Sequence, residues 1–265
     1  MFGDGTLAVP FFFGEDLLNV CLVIPVYNHT EALATVLGAL HPFGLPCILV
    51  DDASDDSGAI DRLVLREAGW VRLVRHSCNQ GKGAAVMTGA QEAFKLGYTH
   101  LLQIDADGQH SPKDVPLFIA AATAEPEAVV CGVPIFDGSA PGSRRWGRLA
   151  TNIWVWINTL SFEIKDGLCG FRLYPIAPLI DLALGTHLGR RMDFDPEVLV
   201  RLKWRGLHFS NVPTRVRYPL DGRSNFKLGL DNWLISCMHA RLFFGMLTRM
   251  PTLLLRKCAG TPPKN

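Results

Sequence analysis

Residues 101–110 read Leu-Leu-Gln-Ile-Asp-Ala-Asp-Gly-Gln-His and are the most informative stretch of this sequence. Leu101–Ile104 is a short, mostly apolar run of the kind found in a strand buried within a sheet. The next two carboxylates, Asp105 and Asp107, stand at alternate positions and can therefore point into one small volume. Two like charges this close repel unless a cation lies between them, and oxygen ligands suit Mg²⁺ or Mn²⁺. Taken alone, the pattern also fits an Asp-Gly turn after an ordinary strand.

The same strand closes a series of alternating strands and helices along the first half of the chain. Apolar runs predict strands at 20–24, 47–50, 71–74 and 101–104, and the segments between them predict helices at 31–40, 57–68 and 83–96. Repeats of this spacing are typical of an α/β protein with a doubly wound, mostly parallel sheet. In such sheets ligands bind beyond the carboxyl ends of the strands.

Polar residues follow each of the four predicted strands, where this kind of sheet places its ligands. They are Tyr27-Asn28, Asp51-Asp52, Asn79–Lys82 and Asp105–Gln109. Because the carboxyl ends of parallel strands meet at one edge, the four loops should converge there. The sequence therefore predicts a site at this edge, which makes an isolated turn at Asp107 a poorer interpretation.

The pattern changes after residue 131. We expect a Gly-, Ser-, Pro- and Arg-rich loop at 136–148, an aromatic helix at 149–160, a helix at 193–205, a strand at 208–213 and a long amphipathic helix from 225 that Pro251 limits. The net charge of +1 is unevenly distributed, because residues 215–265 carry nine Lys/Arg and two Asp/Glu. This basic C-terminal portion favours an anionic membrane surface or phosphates as a partner, and no nucleic acid is expected.

The seven cysteines are scattered, odd in number and free of any C-x-x-C pair. This usage favours reduced thiols in a cytoplasmic protein over a disulfide framework or a zinc site. The N-terminus lacks the positive segment of a secretory signal, and no apolar run is long enough to span a bilayer. We therefore expect a cytoplasmic protein associated peripherally with the inner face of the cell membrane.

Five motifs stand in order along the chain: residues 24–28, 50–57, 79–83, 105–110 and 169–172. Together they resemble the motifs of family 2 glycosyltransferases with the GT-A fold, and most closely those of the dolichol-phosphate or polyprenyl-phosphate glycosyltransferase type. The resemblance covers about residues 20–230 and implies a nucleotide-diphospho-sugar donor and a Mg²⁺ or Mn²⁺ cofactor. We expect an N-terminal segment at 1–19, a catalytic domain at 20–224, and a basic amphipathic helix and tail at 225–265.

The resemblance also implies roles for individual residues on the donor side. The donor-binding residues would be Pro25, Tyr27, Asn28, Asp51, Asp52, Lys82, Asp105, Arg223 and Lys227, and the metal ligands Asp105, Asp107 and Gln109. Spacing does not separate Asp52 from Asp51 as the acid that accepts a hydrogen bond from the base, and Asp52 or Asp55 can instead cap the following helix. Asp105 can bind the ribose or sugar in place of the metal. In residues 222–227, which resemble a loop that closes over the diphosphate, Asn225-Phe226 interrupt the usual Ser-Lys ending, so Arg223 and Lys227 stay alternatives.

Asp195 is the candidate base on the acceptor side, with Asp193 beside it. In members of the family with a hydroxyl acceptor, an aspartate eleven residues before a helix-closing glycine acts as base, and Asp195 precedes Gly206 by that spacing. A phosphate acceptor is already an anion and needs no base. The alternative for both aspartates is that they cap a helix.

Three arginines are candidates for binding the acceptor. Arg144 and Arg145 could hold its phosphate or be solvated surface residues, and Arg172 corresponds to an arginine near the acceptor but could pair with a structural carboxylate. The aromatic and basic pattern over 225–255 suggests a helix lying in the membrane interface, with packing on the sheet or a homodimer contact as alternatives.

The sequence thus predicts an inverting, metal-dependent glycosyltransferase that moves a sugar to a lipid or lipid-linked glycan in cell-envelope glycan or glycolipid synthesis. A polyprenyl-phosphate acceptor and a non-catalytic nucleotide-sugar-binding subunit are the alternatives. Nucleotidylyltransferases share the sheet but carry a glycine-rich basic loop after the first strand, where this chain has residues 25–28, Pro-Val-Tyr-Asn.

Overall fold

A central sheet of short, largely buried strands organises the protein. The computed structural model describes residues 18–67, 69–136, 142–217 and 227–258, with the backbone alone at 142–144, 228 and 258. The strands in these ranges are β1 Val20–Val26, β2 Cys47–Asp51, β3 Val71–Arg75, β4 His100–Gln103, β5 Val129–Phe136, β6 Arg172–Pro175 and β7 Phe209–Val216. The helices are α1 Thr30–Leu40, α2 Ser57–Arg66, α3 Lys82–Lys95, α4 Val115–Ala124, α5 Gly142–Thr159, α6 Ile176–Gly185, α7 Phe194–Trp204 and α8 Leu228–Cys258.

The strand order is β3-β2-β1-β4-β6-β5-β7, and β6 alone in this sheet runs antiparallel to its neighbours. The first four strands are parallel, with Val26 paired with Asp51 and Asp51 with Arg75. Their carboxyl ends therefore lie at one edge, as predicted. The mostly parallel α/β sheet is confirmed, while the short antiparallel β6 was not predicted.

Alternate strand residues face two layers of helices, which explains why the strands are apolar on both sides. Leu22 and Ile24 belong to a buried cluster with α1, α2 and α4, whereas Cys21 and Val23 belong to one with α3, α6 and α7. Helix α3 lies directly on β1, because a Cβ added at Gly89 would approach the Val23 Cγ1 to 2.4 Å. This close contact fixes the start of α3 beside the strand ends.

Two helix boundaries differ from the predicted ones by more than three residues. Helix α5 begins at Gly142, inside the segment predicted as a loop, because the chain from residue 143 onward has the apolar repeat of an amphipathic helix. Helix α8 continues beyond Pro251 to Cys258. Its last turns are held to α7, since Leu253 is buried and Arg256 donates to the Trp204 carbonyl at 2.7 Å. These contacts compensate for the backbone hydrogen bond that proline removes.

Helix α8 packs against α5 and α7. None of the helices in the described ranges combines the length and apolar character that crossing a bilayer requires. The predicted boundaries at 19/20 and 224/225 adjoin or fall in segments outside the described residues, so the three-part division stays a prediction.

Candidate active site

Asp51 and Asp52, at the end of β2, are buried and fully engaged by neighbouring loops. Asp51 accepts hydrogen bonds from the Ser54 backbone N–H at 2.9 Å and from Arg75 Nε at 2.8 Å. The carboxylate of Asp52 accepts from the backbone N–H groups of Gln80 and Gly81, both at 2.8 Å. The structure therefore uses these acids to hold the loops after β2 and β3.

The ring of His76 also contacts Asp52 and links it to α3. Its Nδ1 lies 2.7 Å from Asp52 Oδ1, and its Nε2 lies 2.9 Å from the Thr88 hydroxyl. Neither His76 nor Arg75 was a predicted site residue. Their signal in the sequence is only that they directly follow the third strand.

Asn28 joins the loops after β1 and β2. Its amide donates to Asp55 Oδ2 at 2.9 Å and accepts from the Asp55 backbone N–H at 2.8 Å. Helix α2 is capped by Asp56, whose Oδ1 accepts from the Ala59 N–H at 2.9 Å. The alternative in which Asp52 or Asp55 caps this helix is therefore wrong. Pro25 and Tyr27 are half-buried at the same edge.

Lys82 lies at the centre of the site, because its ammonium bridges two carboxylates. Its Nζ is 2.8 Å from Asp105 Oδ2 and 2.8 Å from Asp195 Oδ2. Burial alone would lower the pKa of Lys82, but the Asp105 and Asp195 charges hold it above its ordinary value, so the group is an ammonium ion. The structure thus brings together residues predicted separately for the donor and acceptor sides.

Asp195 is held in place by Arg172, a fully buried residue that contacts both its backbone carbonyl and its carboxylate. Arg172 Nη1 donates to the Asp195 carbonyl at 2.8 Å and lies 3.4 Å from Asp195 Oδ1, while Nη2 donates to the Gly167 carbonyl at 2.8 Å. Of the two interpretations of Arg172, the structure shows pairing with a carboxylate. A guanidinium without exposed surface does not reach an acceptor directly.

Asp193 and Asp195 do not cap α7 through their side chains. Asp193 occupies the position before the helix, but its Oδ1 accepts from the Arg191 N–H at 3.1 Å and not from the helix. Asp195 faces Lys82 and Arg172. The capping alternative therefore fails for both residues, and burial raises the pKa of the Asp193 carboxyl.

Asp105, Asp107 and Gln109 are the metal ligands that the sequence predicts. The described residues contain no cluster of three or more His, Cys, Asp or Glu side chains with metal-binding geometry. However, Asp105 Oδ1 is buried without a hydrogen-bond partner. Burial, and then the Asp105 charge, raise the pKa of Asp107. An orphaned carboxylate oxygen next to a second acid fits a hard divalent cation.

Gly170 and His110 also contact this set, although neither was a predicted site residue. A Cβ at Gly170 would lie 2.0 Å from Asp105 Oδ2, so only glycine leaves that carboxylate in place. His110 Nε2 lies 3.9 Å from the same oxygen, and its ring packs on Phe171 with centroids 5.7 Å apart. The sequence feature that could have identified them is their position within two of the five motifs, Gly170 in 169–172 and His110 in 105–110.

The remaining predicted basic residues are Arg144 and Arg145, expected on the acceptor side, and Arg223 and Lys227, expected on the donor side. Arg145 is exposed and lines a cavity of about 480 Å³ together with Arg148, Trp146 and Leu149. Lys227 is exposed just before α8. The Arg144 side chain and all of Arg223 lie outside the described residues.

The floor of this cavity is connected to the metal-ligand set. Arg148 Nη1 donates to Asp166 Oδ1 at 2.5 Å, and the same oxygen accepts from the Cys169 N–H at 2.7 Å. Gly170, the next residue, contacts Asp105. The cavity and the carboxylates are therefore separated by one short loop, 166–170.

The model of glycosyl transferase family 2 matches residues 21–178 of the chain. A polyprenol monophosphomannose synthase of Mycolicibacterium smegmatis is 28% identical over 224 residues, which are 77% of this chain and 81% of that protein. An undecaprenyl-phosphate mannosyltransferase of Micrococcus luteus is 29% identical over 206 residues, covering 74% of this chain and 82% of its own length.

Solved structures share the fold at lower sequence identity. The glucosyl-3-phosphoglycerate synthase of Mycobacterium tuberculosis in complex with UDP aligns with a TM-score of 0.65 and 16% identity over 84% of this chain and 79% of its own. The same enzyme with Mn²⁺ and UDP-glucose aligns with a TM-score of 0.61 and 18% identity, covering 87% and 78%. At this identity the likeness establishes the fold.

Proposed function

The chain belongs to glycosyl transferase family 2, because the family model matches more than half of its residues, and we propose that it is an inverting, metal-dependent enzyme. It would transfer a sugar from a nucleotide-diphospho-sugar to a lipid or lipid-linked acceptor. The observation that carries the proposal is the meeting of Asp105, Lys82 and Asp195 at the carboxyl edge of the sheet. Acidic, cationic and acceptor-side groups within one cluster are what a single displacement requires.

Each group has a definite task in this displacement. Lys82 is the first residue of α3, where an ammonium and the positive end of a helix favour the leaving diphosphate. A divalent cation held by Asp105, Asp107 and Gln109 would neutralise charge on that diphosphate. Asp195, held by Arg172, takes the proton of a hydroxyl acceptor. Because donor and acceptor react in one step from opposite faces, the anomeric configuration inverts.

A second acceptor class, a polyprenyl phosphate, is favoured by the cavity beside loop 166–170. Arg145 and Arg148 provide positive charge, and Trp146 and Leu149 provide apolar surface in the same cavity. This combination suits an anionic headgroup attached to an apolar chain. The relatives named for polyprenol and undecaprenyl-phosphate substrates agree with such an acceptor.

Contact with an anionic membrane is supported by the exposed faces of α5 and α8. Trp233, Phe244 and Leu255 follow each other at intervals of eleven residues, or about three turns, so they share one side of α8. They are 68%, 67% and 70% exposed. On α5, Trp146 is 73% exposed. We place the protein at the cytoplasmic face of the membrane, where lipid acceptors are presented.

Thermal-shift measurements against nucleotide sugars test the donor assignment. With Mn²⁺ present, one or more donors from a panel of UDP- and GDP-sugars should raise the melting temperature, because a ligand of the native state stabilises it. The Asp107→Asn variant should lose the Mn²⁺-dependent part of the shift while retaining its own fold. A panel without any shift, or an equal shift in Asp107→Asn, would contradict the proposal.

A further inference from the structure

Lys82 links two carboxylates that the proposed function assigns to different substrates. Its Nζ lies 2.8 Å from Asp105, on the metal and donor side, and 2.8 Å from Asp195, on the acceptor side. The Lys82 side chain is only 14% exposed. In such surroundings charges interact strongly, so the ammonium is a tight partner for both acids.

The ligand-free site already pairs two of its carboxylates with cations. Lys82 and Arg172 supply two positive charges beside Asp105 and Asp195, and Asp107 adds a further carboxyl group next to Asp105. A divalent cation that arrives alone at the unpartnered Asp105 Oδ1 is repelled by the ammonium held on Oδ2 of the same carboxylate. A diphosphate arriving alone meets the negative charges of Asp105 and Asp107. The Lys82 charge therefore opposes a cation that arrives alone, and the carboxylates oppose a diphosphate that arrives alone. When the two ligands bind together, their opposite charges offset each other.

We propose that Lys82 makes divalent-cation binding conditional on the donor, because its ammonium, held on Asp105 Oδ2, repels a cation at Asp105 Oδ1 until a diphosphate takes the ammonium over. The inference rests on the proposed function and deepens it. The diphosphate is an alternative anionic partner for Lys82 at the start of α3. When the ammonium moves to the diphosphate, the repulsion at Asp105 is removed and both of its carboxylate oxygens can face the cation.

The same movement prepares the acceptor side. Asp195 loses Lys82 but keeps Arg172, whose Nη1 lies 3.4 Å from Asp195 Oδ1 and 2.8 Å from its carbonyl oxygen. The carboxylate therefore stays in position, and its Oδ2 loses the ammonium that it contacts in the absence of ligands. Donor binding thus admits the cation and leaves Asp195 Oδ2 able to accept a proton.

Mn²⁺ titrations by calorimetry, with and without UDP or GDP, test this coupling without any turnover. In the wild-type protein, the effective nucleoside diphosphate should tighten Mn²⁺ binding by about tenfold or more, within the usual range of coupling between sites. In Lys82→Met, Mn²⁺ alone should bind about tenfold more tightly than in the wild type, and the nucleotide should add little.

Two further variants serve as controls. Lys95→Met removes an exposed ammonium from the same helix and should behave as the wild type. Lys82→Arg keeps the positive charge, so its Mn²⁺ affinity without nucleotide should stay weak even if Lys82→Met folds poorly. Wild-type coupling in Lys82→Met, or tight nucleotide-free binding in Lys82→Arg, would overturn the inference. Absence of Mn²⁺ binding to the wild type with either nucleotide would instead contradict the proposed function on which it rests.

Discussion

Gly170 determines where the carboxylate of Asp105 can lie. In Gly170→Ala the new Cβ would overlap Asp105 Oδ2, which must swing away because a side-chain end moves more easily than the surrounding backbone. We expect activity to fall by about two orders of magnitude, as for a 1 Å displacement of a reacting group. Steady-state assays and Mn²⁺ titration should show this loss with little change in unfolding free energy.

Gly38 provides the matched control for that substitution. It lies within α1, and nothing is within 4 Å of a Cβ built there. Gly38→Ala should therefore keep full activity and stabilise the protein by about 0.5–1 kcal/mol. Equal activity losses in the two variants would show that the Asp105 contact is not the cause.

Asp195→Asn distinguishes the two acceptor classes at the level of one residue. If the acceptor is a hydroxyl, loss of the base should lower kcat by about 10²–10⁴-fold, whereas a phosphate acceptor should be affected far less. The assay compares lipid-linked glycans with polyprenyl phosphates as acceptors at saturating donor. A variant equally active on a hydroxyl acceptor would refute Asp195 as base.

The sequence identified Lys82, Asp105 and Asp195 through motif order and alternation, but not their contact. Lys82 and Asp195 are 113 positions apart, and they meet only because α7 packs beside α3. Similarly, the sequence shows two acids at 51 and 52 without showing that Arg75 and His76 engage them. Pairing of buried charges depends on tertiary packing, which motif spacing does not encode.

Helices α5 and α8 enclose a buried histidine whose protonation should affect stability. Burial lowers the pKa of His239 to about 4, below the value of about 6.5 for an unfolded chain. The contribution of the neutral His239 ring to the free energy of unfolding is therefore complete above pH 6.5, and it is lost as the pH falls from 6.5 towards 4. We expect the unfolding free energy to drop by about 2 kcal/mol at pH 5 through this group.

Urea denaturation at pH 7.5 and pH 5 measures the effect of His239. The His239→Gln variant should lose this part of the pH dependence, whereas His187→Gln, at an exposed position, should keep the wild-type difference. An unchanged pH dependence in His239→Gln would show that protonation of this ring does not destabilise the pair of helices.

At the scale of elements, the sequence predicted those whose signals are local and repeated. The first four strands and the helices between them were recognisable because apolar runs and polar loops alternate regularly. Strand β6 has four residues and lies between oppositely directed neighbours, so periodicity gives no signal for it. Pro251 is a strong local signal, but the contacts of Leu253 and Arg256 with the rest of the protein override it.

At the scale of the whole molecule, many of the exposed apolar side chains in the described ranges belong to α5 and α8, where exposed basic residues also lie. Sedimentation with vesicles should show binding to anionic phosphatidylglycerol vesicles and much weaker binding to neutral phosphatidylcholine vesicles, because headgroup charge attracts exposed cations such as Arg145 on α5 and Lys257 on α8. Replacing Trp233 and Phe244 by Asp should reduce this binding by tenfold or more, on the order of the loss of two buried aromatic side chains.

The control for vesicle binding is Leu65→Asp, on α2. Leu65 is 74% exposed but belongs to a helix on another side of the sheet. This variant should bind vesicles as the wild type does. Undiminished binding by the Trp233 and Phe244 variant would show that α8 is not the membrane-contacting element.

The carboxylates at the sheet edge should support transfer of a sugar to a lipid. Transfer can be measured by incubating the full chain with Mn²⁺, labelled nucleotide sugars and a membrane lipid extract, and then determining the label in the lipid fraction and the anomeric configuration of the product. We expect labelled lipid of inverted configuration from one or more donors, and a loss of about 100-fold or more in Asp107→Asn. Absence of labelled lipid with every donor, or equal transfer by Asp107→Asn, would contradict it.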